Sequence, residues 1–185
     1  MEQSAKGFFA DPANKDTKCE WLSNHNKIAL EWEQGEVSNY SPSIVEDKEI
    51  IARQIFSPLH FDIVNGELLP SAFSDVENKG LSVDRMAYTT DKTLHYNGRT
   101  MAAEANQTRT YREYFALYKA KVSTIRSILE GEIRVFAVYD TSLENRKSHA
   151  DVCKITTSSI LPAKSFKLFI RKRLSEAFSE IAKPQ

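Results

Sequence analysis

The sequence has few residues of the kinds that build disulfide frameworks, metal clusters or membrane spans. Its 185 residues include only two cysteines, Cys19 and Cys153, which lie far apart and form no C-x-x-C spacing. We therefore expect no disulfide framework, no metal site and a reducing, cytoplasmic setting. No apolar run approaches the roughly 20 residues that cross a bilayer. The N-terminus also lacks the apolar core of a signal peptide.

Motifs that identify common enzyme classes are missing as well. The chain has no GxxxxGK[ST] phosphate loop, no HExxH, no GxSxG and no GxGxxG. A histidine stands two residues before an aspartate twice, at His60 and at His149, but neither pair has an evident third metal ligand. We therefore predict neither a metal nor a cofactor, and function must be argued from individual residues.

The composition is that of an ordinary globular chain. Hydrophobic residues make up 41% and charged residues 27%, and the length fits one domain with its own core. Residues 1–18 are polar with few periodic apolar positions, so we predict a flexible N-terminal tail there. Residues 19–185 are predicted to form a single domain.

Several segments have clear local patterns. Ile44, Ile51 and Ile55 have helical spacing, which predicts a helix that ends before Pro58. Asn65-Gly66 between two apolar pairs predicts a hairpin turn. Alternation predicts a strand in KIALEWE, at residues 27–33.

The second half has its own signals. Residues 100–112 favour a helix with Thr100 as its cap, and residues 123–131 favour a short helix. EYFALYKAKV and IRVFAVYD, at 113–122 and 133–140, predict strands. A final amphipathic helix starts near Pro162. Helices and strands without a repeating βαβ order predict a compact α+β domain with a central mixed or antiparallel sheet.

Charge is unevenly distributed although the net charge is zero. Residues 1–95 contain 16 acidic and 9 basic residues, whereas residues 96–185 contain 9 acidic and 16 basic residues. This asymmetry fits an anion-binding face in the second half, and it fits equally well two halves that attract each other across the fold.

Three segments carry candidate catalytic residues. His60 is a candidate general acid or base, or else a structural histidine beside Asp62. GLSVDR places Ser82, Asp84 and Arg85 after a loop glycine. Arg85 would clamp a phosphate or carboxylate, or else form a structural ion pair.

The third segment follows the strand at 133–140. Asp140 lies at the end of that strand, and His149 follows after a short loop. Asp140 could orient His149 as a carboxylate orients a catalytic imidazole. The alternative is that Asp140 only forms a turn with Thr141.

The final helix presents a cluster of cations to one or more faces. Mixed with aromatic residues, they suit phosphate binding, although a solvated basic surface is the simpler interpretation. The candidate nucleic-acid-binding residues are Lys167, Arg171, Lys172 and Arg173.

These segments together resemble an uncharacterised family of short bacterial proteins. The similar motifs are Ser57-Pro58 with His60, Ser82-Val83 with Arg85, and His149-Ala150-Asp151, over about residues 50–155. The resemblance implies a bacterial cytosolic protein encoded beside partners in a defence or mobile-element cluster, and implies no reaction.

Three functions remain open. The first is an accessory or interaction protein of a bacterial, defence-type system, with another protein as partner and with no membrane. The second is a small enzyme acting on a nucleotide or nucleic-acid phosphate, in which Arg85 binds the anion while His60 or His149 transfers a proton. The third is nucleic-acid binding through the basic final helix, with affinity that falls steeply with salt.

Overall fold

The computed structural model describes residues 4–108 and 111–184. The α-helices are α1 (Ala5–Ala10), α2 (Lys18–Asn24), α3 (Asn26–Glu33), α4 (Asp91–Gln107), α5 (Val122–Arg126) and α6 (Ala163–Ala177). The strands are β1 (Ile50–Ser57), β2 (Phe61–Asp62), β3 (Glu67–Leu68), β4 (Leu81–Arg85), β5 (Glu113–Lys121), β6 (Leu129–Glu130), β7 (Ile133–Arg134), β8 (Phe136–Tyr139), β9 (His149–Lys154) and β10 (Glu180–Ala182). Three 3-10 segments cover Pro12–Asn14, Pro70–Glu77 and Met86–Tyr88.

A six-stranded sheet forms the centre of the molecule. Its strand order is β10-β5-β1-β4-β9-β8, and every neighbouring pair is antiparallel. The prediction of a compact α+β domain with a C-terminal amphipathic helix is confirmed.

One face of the sheet carries the main hydrophobic core. Ile51 and Val152 from the sheet pack with Phe166, Ile170 and Leu174 of α6, and all five are buried. The three α6 residues are those that the helical spacing of the sequence places on one stripe.

The opposite face is covered at its two ends. At one end, α1 to α3 pack on β8 and β9, where Leu22 meets Tyr139 and Cys153 in a second core cluster. At the other end, Leu94 of α4 packs on Leu117. Side chains alternate along a strand, so those that point away from the main core lie on this second face. Between the helices at its two ends, this face carries polar side chains.

Two predicted elements were wrong in type. The segment predicted as a helix up to Ser57 contains β1, which is buried on both faces and has a bulge between Ile55 and Phe56. A strand covered on both sides loses the polar–apolar alternation, so its isoleucines only mimic helical spacing. KIALEWE is helix α3, in which Ala29 and Glu33 share the buried side.

The helix predicted at 100–112 begins earlier than expected. Helix α4 starts at Asp91, and the side chain of Thr90 accepts a hydrogen bond from the Thr93 amide (3.2 Å), so Thr100 is not its cap. Positions 109–110 of the predicted helix lie outside the described residues. The short helix predicted at 123–131 is limited to α5.

The strands predicted at 113–122 and 133–140 are confirmed as β5 and as β7 with β8. The hairpin predicted at Asn65-Gly66 is confirmed as β2–β3. Gly66 has a φ of 69°, a backbone conformation that favours glycine.

The N-terminal segment, predicted as a flexible tail, contains a helix. Phe8 of α1 is fully buried and packs against Trp21 and Trp32, with ring centroids 4.6 and 5.2 Å apart. Residues 1–3 lie outside the described residues.

Candidate functional site

A cavity of about 710 Å³ lies on the second face of the sheet, between its two helical covers. Residues of β1, β4 and β9 form its floor, and the segments around His60 and Asp75 form its wall. This volume falls within the range of small-molecule sites. Leu59 and Met101 line the cavity and are each more than 40% exposed, so the cavity is open to solvent.

Strand pairing explains where the cavity forms. β1 and β4 are paired at only two positions, Ile51 with Arg85 and Ala52 with Asp84. Farther along, the Ser82 carbonyl oxygen accepts a hydrogen bond from Arg53 Nη1 (2.8 Å) rather than from a strand amide. The guanidinium group of Arg53 therefore replaces a strand amide as the hydrogen-bond donor at the point where β1 and β4 stop pairing.

The cavity is rich in positive charge. Six cationic side chains and three carboxylates line it. The cations are Lys15, Lys18, Arg53, Lys79, Arg112 and Arg146, and the carboxylates are Asp75, Asp84 and Asp151. This excess of positive charge in a concave site favours an anionic ligand.

Arg53 is only partly satisfied by the protein. Its side chain is 12% exposed, and its nearest carboxylate oxygen, on Asp75, is 3.7 Å away. Its Nε is buried without a hydrogen-bond partner among the described residues. Burial lowers the pKa of Arg53, and Asp75 only partly counteracts this. An anion in the cavity would supply negative charge that the described residues provide only in part.

Arg112 repeats this pattern on the same cavity. Its Nε is also buried without a partner among the described residues, and its guanidinium group lies 5.6 Å from the centroid of the Phe56 ring. Buried unsatisfied donors are rare in native proteins, so two on one cavity need an explanation. Arg146, in contrast, is bound by Asp84 through Nε (3.0 Å) and Nη2 (2.5 Å).

Ser82 and His149 form a close pair on the cavity floor. The β4–β9 register sets Ser82 opposite Asp151 and Asp84 opposite His149, so these four side chains share a face. His149 Nε2 is 3.2 Å from Ser82 Oγ. His149 Nδ1 is 2.9 Å from Thr141 Oγ1, which can donate or accept, and 3.0 Å from the Thr141 carbonyl oxygen, which only accepts hydrogen bonds.

Asp151 is held beside this pair by Lys18. The Lys18 ammonium group is 2.7 Å from Asp151 Oδ2. Burial alone would lower the pKa of Lys18, but Asp151 and the thiol of Cys153 more than offset it, so the pKa is raised. Gly80, with a φ of 84°, lets the backbone pass close to the Asp151 side chain.

His60 lies on the same cavity as His149. Its Nδ1 accepts a hydrogen bond from the Phe56 amide (3.4 Å). Burial, followed by the positive charge of Arg53, lowers the pKa of His60 to about 4. A neutral imidazole whose Nδ1 accepts carries its proton on Nε2, so His60 is a hydrogen-bond donor at neutral pH rather than a general base.

Arg85 does not reach the cavity, so its predicted role as the anion clamp is wrong. The side chain is fully buried on the core side of β4. Its guanidinium group donates to Glu49 (2.8 and 2.7 Å), to Asp140 (2.8 Å) and to the Ser43 carbonyl oxygen (2.8 Å). The structural ion pair, the other interpretation of Arg85, is the observed one.

Asp140 does not orient His149, so that prediction is also wrong. Asp140 is buried and accepts hydrogen bonds from Arg85, from Ser41 (2.5 Å) and from the Ser142 amide (3.0 Å). The hydroxyl and the carbonyl oxygen of Thr141 orient the imidazole instead. Asp140 therefore belongs to the buried ion-pair network, whereas the neighbouring Thr141 contacts the cavity histidine.

The basic side of α6 is partly neutralised. Lys167 and Arg171 both contact Glu77, at 3.1 and 2.6 Å, and Glu77 is itself buried. Arg173 pairs with Glu176 (2.9 Å), whereas Lys172 is exposed. Two of the four candidate nucleic-acid-binding residues therefore anchor α6 to the rest of the domain.

Sequence reasoning singled out Ser82 but gave it no role, gave Thr141 only a role in a turn, and missed Arg53 and Arg112. The period of two along β4 was an available signal. It places Ser82 on one face and Arg85 on the other with Val83, which is buried in the core. Nothing local marked Arg53, because its role depends on where β1 and β4 separate.

The comparisons with known proteins give no relative. No family model matches the chain, and no similar curated protein or solved structure was found. In residues 4–108 and 111–184, no helix is both long and apolar enough to span a membrane. No cluster of three or more metal-ligating His, Cys, Asp or Glu side chains occurs within those ranges.

Proposed function

We propose that the protein is a small enzyme that binds a phosphate-containing substrate in the cationic cavity. The observation that carries this proposal is a single cavity lined by six cationic and three acidic side chains, in which the guanidinium groups of Arg53 and Arg112 are incompletely hydrogen-bonded by the described residues. A phosphate group presents several acceptor oxygens, and arginine binds such oxygens through more than one N–H group. A phosphate in the cavity would therefore add acceptors and negative charge beside these two guanidinium groups.

The size and composition of the cavity fit this class of ligand. About 710 Å³ holds more than a single phosphate ion, which suits a phosphate attached to a further group such as a nucleoside. His60 and Gln54 line the same space and can contact the uncharged part of such a substrate. In this proposal Arg53 and Arg112, rather than Arg85, bind the phosphate group.

Binding is tested by isothermal titration with inorganic pyrophosphate and with adenosine monophosphate. The Arg112→Gln variant keeps an unbranched polar side chain, shorter than that of arginine, while it removes the charge and the guanidinium group. We expect its pyrophosphate affinity to fall at least about tenfold, since a charged hydrogen bond contributes about 1.5–3 kcal/mol.

Arg173→Gln is the matched control. Arg173 lies on the exposed face of α6 with a side chain that is 48% exposed, so its variant should bind pyrophosphate as the wild type does. Equal loss in both variants, or no binding of either probe to the wild type at low salt, would refute the proposal.

The nucleic-acid hypothesis has weaker support than the cavity. Glu77 already neutralises Lys167 and Arg171 in part, which leaves Lys172 and Arg173 as the more exposed cations of the set. The interaction-protein hypothesis stays a prediction.

A further inference from the structure

We propose that Ser82 is a nucleophile that attacks phosphorus and that His149 is its general base. This inference rests on the proposed function, because it requires a phosphate ester in the cavity. Ser82 and His149 both line that cavity, and their side chains are within hydrogen-bond distance at 3.2 Å. A serine paired with a histidine that a third group orients is the arrangement of an activated nucleophile.

The tautomer of His149 follows from its surroundings. Thr141 presents two oxygens to Nδ1, its hydroxyl at 2.9 Å and its carbonyl oxygen at 3.0 Å. The hydroxyl can donate or accept but the carbonyl oxygen can only accept, so a proton on Nδ1 is the arrangement that suits both contacts. In the neutral ring Nε2 then has a free lone pair, and Ser82 Oγ is the group that faces it. The Thr141 carbonyl oxygen thus takes the orienting role that a carboxylate has in a catalytic triad.

The local charges are compatible with an anionic substrate at Ser82. Asp151 Oδ1 is 3.5 Å from Ser82 Oγ and would repel a phosphate if it were unpaired. Lys18, 2.7 Å from the other oxygen of Asp151, compensates this charge. Arg53 donates to the Ser82 carbonyl oxygen, which brings its guanidinium group close to the reacting centre.

The reaction balances as hydrolysis of a phosphate ester. As the bond from Ser82 Oγ to phosphorus forms, the bond from phosphorus to the leaving oxygen breaks, and the serine proton passes to His149 Nε2. The leaving oxygen takes a proton from water, and the imidazolium group releases its proton to solvent. Water then attacks the phosphoserine with His149 as the base, and phosphate leaves as Ser82 regains its proton.

The cavity offers a matched control for this serine. Ser74 also lines the cavity, but its hydroxyl donates to the Ser71 carbonyl oxygen (3.0 Å). A hydroxyl that donates to a carbonyl has no base to accept its proton, so Ser74 should be unreactive.

Diisopropyl fluorophosphate tests the pair without knowledge of the substrate. Attack by Ser82 Oγ forms an O–P bond, breaks the P–F bond and releases fluoride, while the serine proton goes to His149. We expect one adduct in the wild type and in Ser74→Ala, mapped to Ser82 by peptide mass spectrometry. His149→Gln should react at least about 100-fold more slowly, the usual contribution of a general base.

The outcomes separate this inference from the proposed function. No adduct on Ser82 in a protein that still binds pyrophosphate would overturn the nucleophile and leave the binding proposal standing. An adduct at another residue, or an undiminished rate in His149→Gln, would also overturn it. Labelling of Ser82 that pyrophosphate does not slow would support the nucleophile and refute the phosphate-binding cavity. Because the adduct is mapped in the wild type, the test does not depend on whether any Ser82 variant folds.

Discussion

Replacement of Arg85 by methionine should cost the fold several kilocalories per mole. The guanidinium group is fully buried and lies against Asp140 and Glu49, whose side chains are 1% and 9% exposed. Methionine keeps much of the apolar volume but leaves both carboxylates without their cation. Removing one partner of a buried ion pair costs about 3–5 kcal/mol.

The structure narrows this range to its lower end, about 3 kcal/mol. Asp140 keeps its hydrogen bonds from Ser41 and the Ser142 amide, and Glu49 keeps one from the Glu46 amide (2.8 Å). These bonds partly stabilise the two negative charges that remain. Arg85→Lys restores the charge but not the forked geometry, so it should lose less than Arg85→Met.

The assay is urea unfolding at pH 7, followed by the fluorescence of Trp21 and Trp32, which stack with centroids 5.2 Å apart. Arg173→Met removes an ion pair in which both side chains are 48% exposed, and should change the free energy of unfolding by less than about 1 kcal/mol. A loss below about 1 kcal/mol in Arg85→Met would refute the reasoning that this buried network holds β4 to the 43–49 loop.

Three further predictions concern His60, helix α4 and helix α6. Because the pKa of His60 is lowered to about 4 in the folded state, the unfolded chain protonates first. Stability should therefore be full above pH 6.5 and fall by at most about 3 kcal/mol towards pH 4, and His60→Gln should remove this part of the slope in urea titrations. Gly98→Ala would place a methyl group into the ring of Tyr114. The overlap should cost about 1–3 kcal/mol, more than the roughly 1 kcal/mol gained in helix propensity, so a raised melting temperature would contradict it. Arg171→Ala, which breaks a contact with a buried carboxylate, should destabilise the fold by about 1–2 kcal/mol, whereas Lys172→Ala should have almost no effect on thermal unfolding.

Local sequence patterns predicted those elements whose buried and exposed positions alternate with the period of a helix or strand, or whose turn residues are adjacent in the chain. The apolar stripe of α6 and the Asn65-Gly66 turn are examples, because helix periodicity and turn chemistry act over a few residues. β1 was mistaken for a helix because both of its faces are buried, a fact that its own sequence does not contain.

The sequence by itself determined which chemical groups the protein contains: four histidines in separate segments, equal numbers of cationic and acidic side chains, and strand residues whose faces follow from alternation. Only the tertiary structure decided which of these groups meet. His60 and His149 share a cavity because β1, β4 and β9 are neighbours in the sheet, although 89 positions separate them in the printed sequence. Arg85 lies in the core instead, because it forms ion pairs there with Glu49 and Asp140, which are distant from it in the chain. Ion pairs and strand neighbours of this kind are long-range contacts, and one sequence without its fold does not specify them.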